Sequence, residues 1–364
     1  YWAQQGRYRY LALPDRIARA GLPKVEVLDM RQVRKRFGVF SPYLKDRIEK
    51  TLADDGQVLL FLNRRGFSSF LLCEACGHIP QCGSCDITLT YHLHGQRLKC
   101  HYCMFDMPLP PACPKCGHTP FKHHGTGTQR VEEDLNRFFP GVPVVRMDRD
   151  STGRKDAHRT LLREFASGRA RILLGTQMIA KGLDFPQVRL VAIITADTSL
   201  GLPDFRAAER TFSLLTQVAG RAGRSEGGGE VVLQTWNPEH PAIQMACRHD
   251  YHGFYQWDIA NRQETGYPPY SHFVKVMFSG ESEGVVRQTA ETLAAAARTA
   301  AAKGMDFLGP APCPLARVQN RYRWQFLVRG PRVQDIVRLL RTHVEALRGD
   351  ACQVSLDVDP LSML

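Results

Sequence analysis

Eight cysteines between residues 73 and 116 constrain this chain more than any other feature. They fall as four Cys-x-x-Cys pairs: Cys73/Cys76, Cys82/Cys85, Cys100/Cys103 and Cys113/Cys116. A Cys-x-x-Cys turn aims two thiolates at one ion, and zinc takes four ligands in a tetrahedron, so eight thiolates suit two zinc ions. The spacing, within an odd total of 11 cysteines, argues for metal in a reducing compartment rather than for a disulfide framework. Iron–sulfur clusters and redox-active thiols are the competing chemistries. Gly77, Gly83 and Gly117 stand where a knuckle needs a small residue.

The spacing also predicts which pairs share an ion. Cys76 and Cys82 are too close for their two knuckles to face one another across a metal. Between Cys85 and Cys100, Ile87–Tyr91 and Arg97–Lys99 flank a turn at His94-Gly95, which reads as a β-hairpin with a knuckle at each end. A nested arrangement follows: an inner ion on Cys82, Cys85, Cys100 and Cys103, and an outer ion on Cys73, Cys76, Cys113 and Cys116. His78, His92, His94, His101 and His118 are then surplus to coordination, and with cysteine filling every position no open site remains for catalysis. Cys247, Cys313 and Cys352 read as small core residues.

On either side of the cysteines the chain alternates between strand and helix. Val58–Leu62 is a continuous apolar run, which suits a strand buried on both faces of a parallel sheet. Ser41-Pro42 opens an amphipathic helix through Leu52. Later come a helix over 131–139, a strand over 142–147, a helix over 157–167, strands over 171–175 and 190–194, a helix over 207–218 and a strand over 231–234. The rhythm predicts an α/β fold with a parallel sheet and right-handed crossovers. From residue 271 the order becomes β-α-β-β-α-β, as in a small ferredoxin-like α+β domain. The expected division is 1–40 as a lead-in, 41–72 with 124–238 as the α/β unit, 73–123 as the cysteine insert, 239–270 as a connector and 271–364 as the last domain. At 364 residues, two or three domains are expected. No apolar run of about 18 residues is present to span a bilayer, and Tyr1-Trp2-Ala3-Gln4 does not open a signal peptide. A formal net charge of +12 favours a polyanionic partner, with nucleic acid first.

Two stretches carry the chemistry. One is Gly175-Thr176-Gln177-Met178-Ile179-Ala180-Lys181-Gly182-Leu183-Asp184-Phe185-Pro186, directly after a buried strand; the other is Gln217-Val218-Ala219-Gly220-Arg221-Ala222-Gly223-Arg224, at a helix end. A motor that hydrolyses ATP between two lobes needs cations of one lobe to reach phosphates held by the other. Arginine does this with a planar fork of donors and a fixed charge, and two arginines three residues apart share a helix face.

These two stretches, in this order, resemble the second RecA-like lobe of superfamily 2 helicases. With the eight-cysteine insert after Asn63-Arg64-Arg65-Gly66, and with Asp197-Thr198-Ser199-Leu200, Pro203–Arg210 and Tyr267-Pro268-Pro269-Tyr270, nearly the whole chain resembles the primosomal replication-restart helicases. The resemblance implies Arg224 as arginine finger and Arg221 as a second phosphate or coupling contact. Gln217 would sense the nucleotide, Gly182 and Asp184 would sit at the ribose edge, and Thr176 and Gln177 would link that edge to the DNA backbone. It also implies ATP and Mg²⁺ as cofactors and 3′-to-5′ unwinding at stalled replication forks. Branched or single-stranded DNA, single-strand-binding protein, primosome proteins and helicase loaders are the implied partners. The expected setting is a monomer in the bacterial cytoplasm, associated with the nucleoid. Such helicases carry a Gly-x-x-x-x-Gly-Lys-Ser/Thr phosphate loop and an acidic magnesium motif in their first lobe, and neither occurs here. The chain is therefore expected to begin near the end of that lobe and not to hydrolyse ATP alone.

Arg64, Arg65 and Phe67 form a basic, aromatic loop suited to phosphates and a stacked base, or simply a surface loop. Arg317, Arg321, Arg323 and Trp324 allow the same two readings. The alternative to a motor is a zinc-ribbon module that only binds nucleic acid or protein, for which the arginine pair has no use. Another nucleic-acid translocase is a further reading, which the cysteine insert speaks against.

Overall fold

The computed structural model describes residues 1–12, 22–63, 70–83, 87–92, 96–100, 104–119, 122–124, 128–148, 157–179, 185–222, 229–346 and 351–363. The chain opens its sheet with β1 (Lys24–Asp29), crosses helix α1 (Pro42–Ala53) and enters β2 (Gln57–Phe61). Ser41 caps α1 by accepting from the Leu44 N–H at 3.1 Å, with Pro42 in the first turn. An acceptor there satisfies a donor that the helix cannot, at about 1 kcal/mol.

The cysteine insert contributes β3 (Phe70–Leu72), β4 (Thr90–His92), β5 (Arg97–Lys99), β6 (Asp106–Pro108) and β7 (Lys122–His124). β3 and β7 pair antiparallel as a stalk, and β4-β5-β6 form a three-stranded meander. The hairpin expected from sequence is therefore extended by one strand.

The α/β rhythm returns with α2 (Thr128–Phe138), β8 (Val144–Met147), α3 (Ala157–Ala166), β9 (Ile172–Gly175), β10 (Val188–Ile193), the one-turn α4 (Asp197–Leu200), α5 (Ala207–Ala219) and β11 (Glu230–Thr235). Six parallel strands run β1-β11-β10-β2-β9-β8. One face packs on Phe40, Leu44, Ile48, Val131 and Leu135 of α1, α2 and the turn before α1. The other packs on Phe165, Phe212, Leu215 and Val218 of α3 and α5. With both faces covered, the central strand β2 is buried at every residue, which is why it reads as unbroken apolar sequence.

Two boundaries differ from the sequence reading. Residues 1–40 were expected to precede the sheet, yet Lys24–Asp29 is its edge strand, in register with Glu230–Thr235. Lys24–Val27 reads as a short strand in the sequence, but its half-exposed residues gave no signal that it joins this buried sheet. The expected connector 239–270 holds two helices, α6 (Pro241–Cys247) and α7 (Tyr251–Thr265). Ala242, Ile243, Ala246 and Phe254 join the lobe's core, with Phe254 stacked on Phe212 at 4.2 Å. Only Phe254 of α7 is fully buried, so no apolar stripe announced that helix.

The last unit is β12 (His272–Gly280), α8 (Glu283–Ala300), β13 (Asp306–Val318), β14 (Arg321–Gly330), α9 (Val333–Ala346) and β15 (Gln353–Val358). Its antiparallel sheet runs β13-β14-β12-β15, the order of a ferredoxin-like fold. Both helices cover one face, where Trp324 is buried among Val276, Phe278 and Leu293. The middle of the opposite face is covered as well, although its β15 edge stays exposed. Phe273 and Leu327 pack with Leu89, Leu98, Cys82 and Cys100 of the insert, closed over by Tyr267 and Met363. The tail is pinned there, with the Met363 N–H on Asp204 Oδ2 at 3.1 Å and Lys275 Nζ on the Ser362 carbonyl at 2.9 Å.

Candidate functional site

The four outer cysteines converge. The Sγ atoms of Cys73, Cys76, Cys113 and Cys116 all lie within 4.8 Å of one another, with Cys73–Cys116 at 3.6 Å and Cys76–Cys113 at 3.7 Å. Tetrahedral zinc with 2.3 Å bonds puts its sulfurs about 3.8 Å apart, so the four thiols fit that ion. Burial pushes the Cys73 thiol up and Cys76 up to about 12; a bound dication is what would hold both as thiolates at neutral pH. Cys116, at the exposed end, is brought down to about 7, led by its backbone hydrogen bond from His118.

The knuckles share one backbone pattern. The N–H of Cys73 donates to the His78 carbonyl at 2.9 Å and that of Cys113 to His118 at 2.9 Å, while Gly77 and Gly117 return N–H bonds to Cys73 and Cys113 at 2.8 Å. Both glycines have φ +73°, a conformation that side chains resist. Cys82 to Ile87 and Cys100 to Phe105 repeat the five-residue closure, at 2.8 Å each. Cys82 and Cys100 are buried, whereas Cys85 and Cys103 lie outside the described residues.

The outer knuckle is seated on the lobe. A Cβ on Gly77 would come within 2.1 Å of the Trp236 carbonyl oxygen, just past β11. Arg36 bridges the two, 3.5 Å from Glu74 and with its guanidinium 5.3 Å from the Trp236 ring centre.

Of the residues expected at a nucleotide site, Thr176 and Gln177 follow β9 directly, with Gln177 opening a single 3-10 turn. Both are half-buried, and Gln177 Nε2 donates to Asn63 Oδ1 at 3.4 Å. Gln217 is exposed in the last turn of α5. Arg221 is half-buried just beyond it, its Nε 3.4 Å from the Gln217 carbonyl. Gly182, Asp184, Arg224, Arg64, Arg65 and Phe67 lie outside the described residues. In the last domain Arg321 is engaged with Ser279 and Arg323 with Met277.

Sequence reasoning missed the polar groups behind these motifs. Asp197 is fully buried; burial raises its pKa, against hydrogen bonds from Asn237, the Trp236 N–H and Thr235. Asn63 and Ser199 are buried and bonded to each other. Glu209 joins Arg206 and Arg262 at 2.8 and 2.7 Å. Burial would raise its carboxyl, but the two guanidiniums outweigh that and hold it at about 2. For Asn63 the available signal was a polar residue directly after the apolar run at 58–62.

The six-stranded parallel lobe carrying these two motifs is a helicase C-terminal lobe: residues 125–226 match the helicase conserved C-terminal domain. Residues 82–108 match the PriA DNA helicase Cys-rich region, and residues 263–361 the primosomal protein N C-terminal domain. The chain belongs to the replication restart protein PriA family. It is 45% identical to the Bacillus subtilis replication restart protein PriA over all of this chain and 46% of that protein. The Synechocystis relative is 41% identical over 97% of this chain and 43% of its own length, and the Haemophilus influenzae relative 38% over 98% and 49%. The chain thus spans about half the length of the curated relatives it matches. The cysteine insert is a zinc-binding module by its family match and by its thiol cluster. Among the described residues, no helix is long and apolar enough to cross a membrane.

Proposed function

We propose that this chain supplies the second motor lobe, a two-zinc module and the C-terminal domain of an ATP-driven, 3′-to-5′ DNA helicase of replication restart. The observation that carries the reading is the pair of helicase motifs on the parallel lobe: Thr176-Gln177 directly beyond the buried strand β9, and Arg221 at the end of α5. In this reading Arg224 and Arg221 reach ATP phosphates held with Mg²⁺ by another lobe. Gln217, Gly182 and Asp184 border the nucleotide, and Thr176 and Gln177 relay its state to DNA. Arg64, Arg65 and Phe67 hold phosphates and a base. The inner zinc takes Cys82, Cys85, Cys100 and Cys103, as the repeated knuckle closures support. Branched DNA at forks, single-strand-binding protein and primosome proteins are the partners, in the bacterial cytoplasm.

Charge reversal tests the motor. In the full-length protein Arg224→Glu should abolish DNA-stimulated ATP hydrolysis while DNA binding is kept; unchanged hydrolysis would favour a zinc module without motor activity. The isolated chain, lacking a phosphate loop, should not hydrolyse ATP, and robust DNA-stimulated turnover by it would refute that.

A further inference from the structure

Buried polar side chains run along the carboxyl edge of the sheet in the order in which the strands pair. At the end of β11 and just beyond it, Thr235 Oγ1, the Trp236 N–H and Asn237 Nδ2 donate to Asp197 at 3.0, 3.0 and 2.8 Å. Asp197 and Ser199 belong to α4, just past β10. Ser199 Oγ accepts from Asn63 Nδ2. Asn63, just past β2, accepts in turn from Gln177 Nε2, just past β9. The strands lie in the order β11-β10-β2-β9, so each link crosses one neighbour. Asp197, Ser199 and Asn63 are at most 4% exposed.

Such groups are costly to bury, and an apolar residue would fill the same space at less expense. What a bonded row adds is fixed relative position. The carboxyl edge is also where open α/β sheets place their ligands.

The row has two ends with different contents. At one is Gln177, in the motor motif. At the other the zinc module bears on the edge twice. The Gly77 knuckle rests on the Trp236 carbonyl, and Thr88 Oγ1, beside the inner ribbon, donates to the Leu200 carbonyl of α4 at 3.4 Å.

We propose that Asn63 is a positioning residue of the motor. It ties the Gln177 turn to α4, on which the zinc module sits, so that movement of that turn in the nucleotide cycle is passed to the module. Its amide suits the task because it donates to one neighbour and accepts from the other at once. The inference rests on the motor reading above.

The test uses the full-length protein with Asn63→Ala, Ser199→Ala and Ser199→Thr, the last keeping the hydroxyl. Four quantities are measured: DNA-independent ATP hydrolysis, DNA-stimulated hydrolysis, unwinding of a forked duplex and the thermal midpoint. Unwinding per ATP hydrolysed should fall about fivefold or more in both alanine variants, with DNA-independent hydrolysis within about twofold of wild type, and Ser199→Thr should restore the coupling. Unchanged coupling in both alanine variants overturns the proposal. So does a parallel loss of hydrolysis, unwinding and thermal midpoint, which marks a merely structural row. A wild-type protein without DNA-stimulated hydrolysis would instead sink the motor reading itself, and the inference with it.

Discussion

Protonating His240 should loosen the motor lobe, by an amount that the structure bounds. His240 caps α6: its Nδ1 accepts the Ala242 N–H at 3.2 Å, and its ring stands edge-on to Trp257 at 5.8 Å. Accepting there requires the neutral ring. Burial lowers its pKa from 6.5 to about 4. The unfolded chain therefore takes up a proton near pH 6.5 that the folded lobe refuses until about pH 4. Stability is full above 6.5 and falls as the pH drops from 6.5 to 4. At about 1.4 kcal/mol per pH unit the loss is bounded at about 3.5 kcal/mol. For a lobe of this size that lowers the thermal midpoint by about 7 to 14 °C. His240→Asn keeps an acceptor at the cap and removes the titration. Calorimetric midpoints of the two proteins, compared across pH 4 to 7, should diverge below 6.5, with the wild type falling faster. Curves that stay parallel would refute both the depressed pKa and the neutral cap.

The nested zinc pairing makes a stoichiometric prediction: combining Cys76→Ser with Cys113→Ser should cost one zinc per chain, whereas Cys76→Ser with Cys82→Ser should cost both, read by metal analysis. Gly77→Ala forces a side chain onto the Trp236 carbonyl at a left-handed backbone position. It should destabilise the protein by about 1–3 kcal/mol in denaturant unfolding with zinc content kept; loss of zinc would show that Gly77 serves the knuckle alone. Glu209, held at about 2 against its ordinary 4.5, contributes stability that is complete above pH 4.5 and lost as the pH falls towards 2. Glu209→Gln should lower the thermal midpoint at pH 7 and flatten that acid limb; an acid limb identical to wild type would exclude the Arg206–Glu209–Arg262 link as its source.

Much of the molecule was legible in one dimension because its signals are local. Four identical knuckle spacings predict metal, since two thiolates three residues apart meet one ion whatever surrounds them. The apolar run at 58–62 predicts a strand covered on both faces, and Ser41-Pro42 marks a helix start by its own hydrogen bonding. The β-α-β-β-α-β order of the last domain needs only periodicity and turns. The two motor motifs, with their fixed order, point to the helicase class.

What sequence left open depends on neighbours distant in the chain. Lys24–Val27 reads as a short strand in the sequence, but its place at the edge of the parallel sheet was set by Glu230–Thr235. Tyr251–Thr265 became a helix on the lobe through Phe254 against Phe212, 42 residues apart. The zinc ribbon covers the open face of the last domain's sheet through Leu89, Leu98, Phe273 and Leu327, none of which names its partner. Nothing in the sequence joins Asn63, Asp197, Ser199 and Gln177 to one another, although each falls in a stretch that the sequence singles out. Only the pairing order of β11, β10, β2 and β9 sets them side by side, because a hydrogen bond reads distance in space and the sequence records distance along the chain.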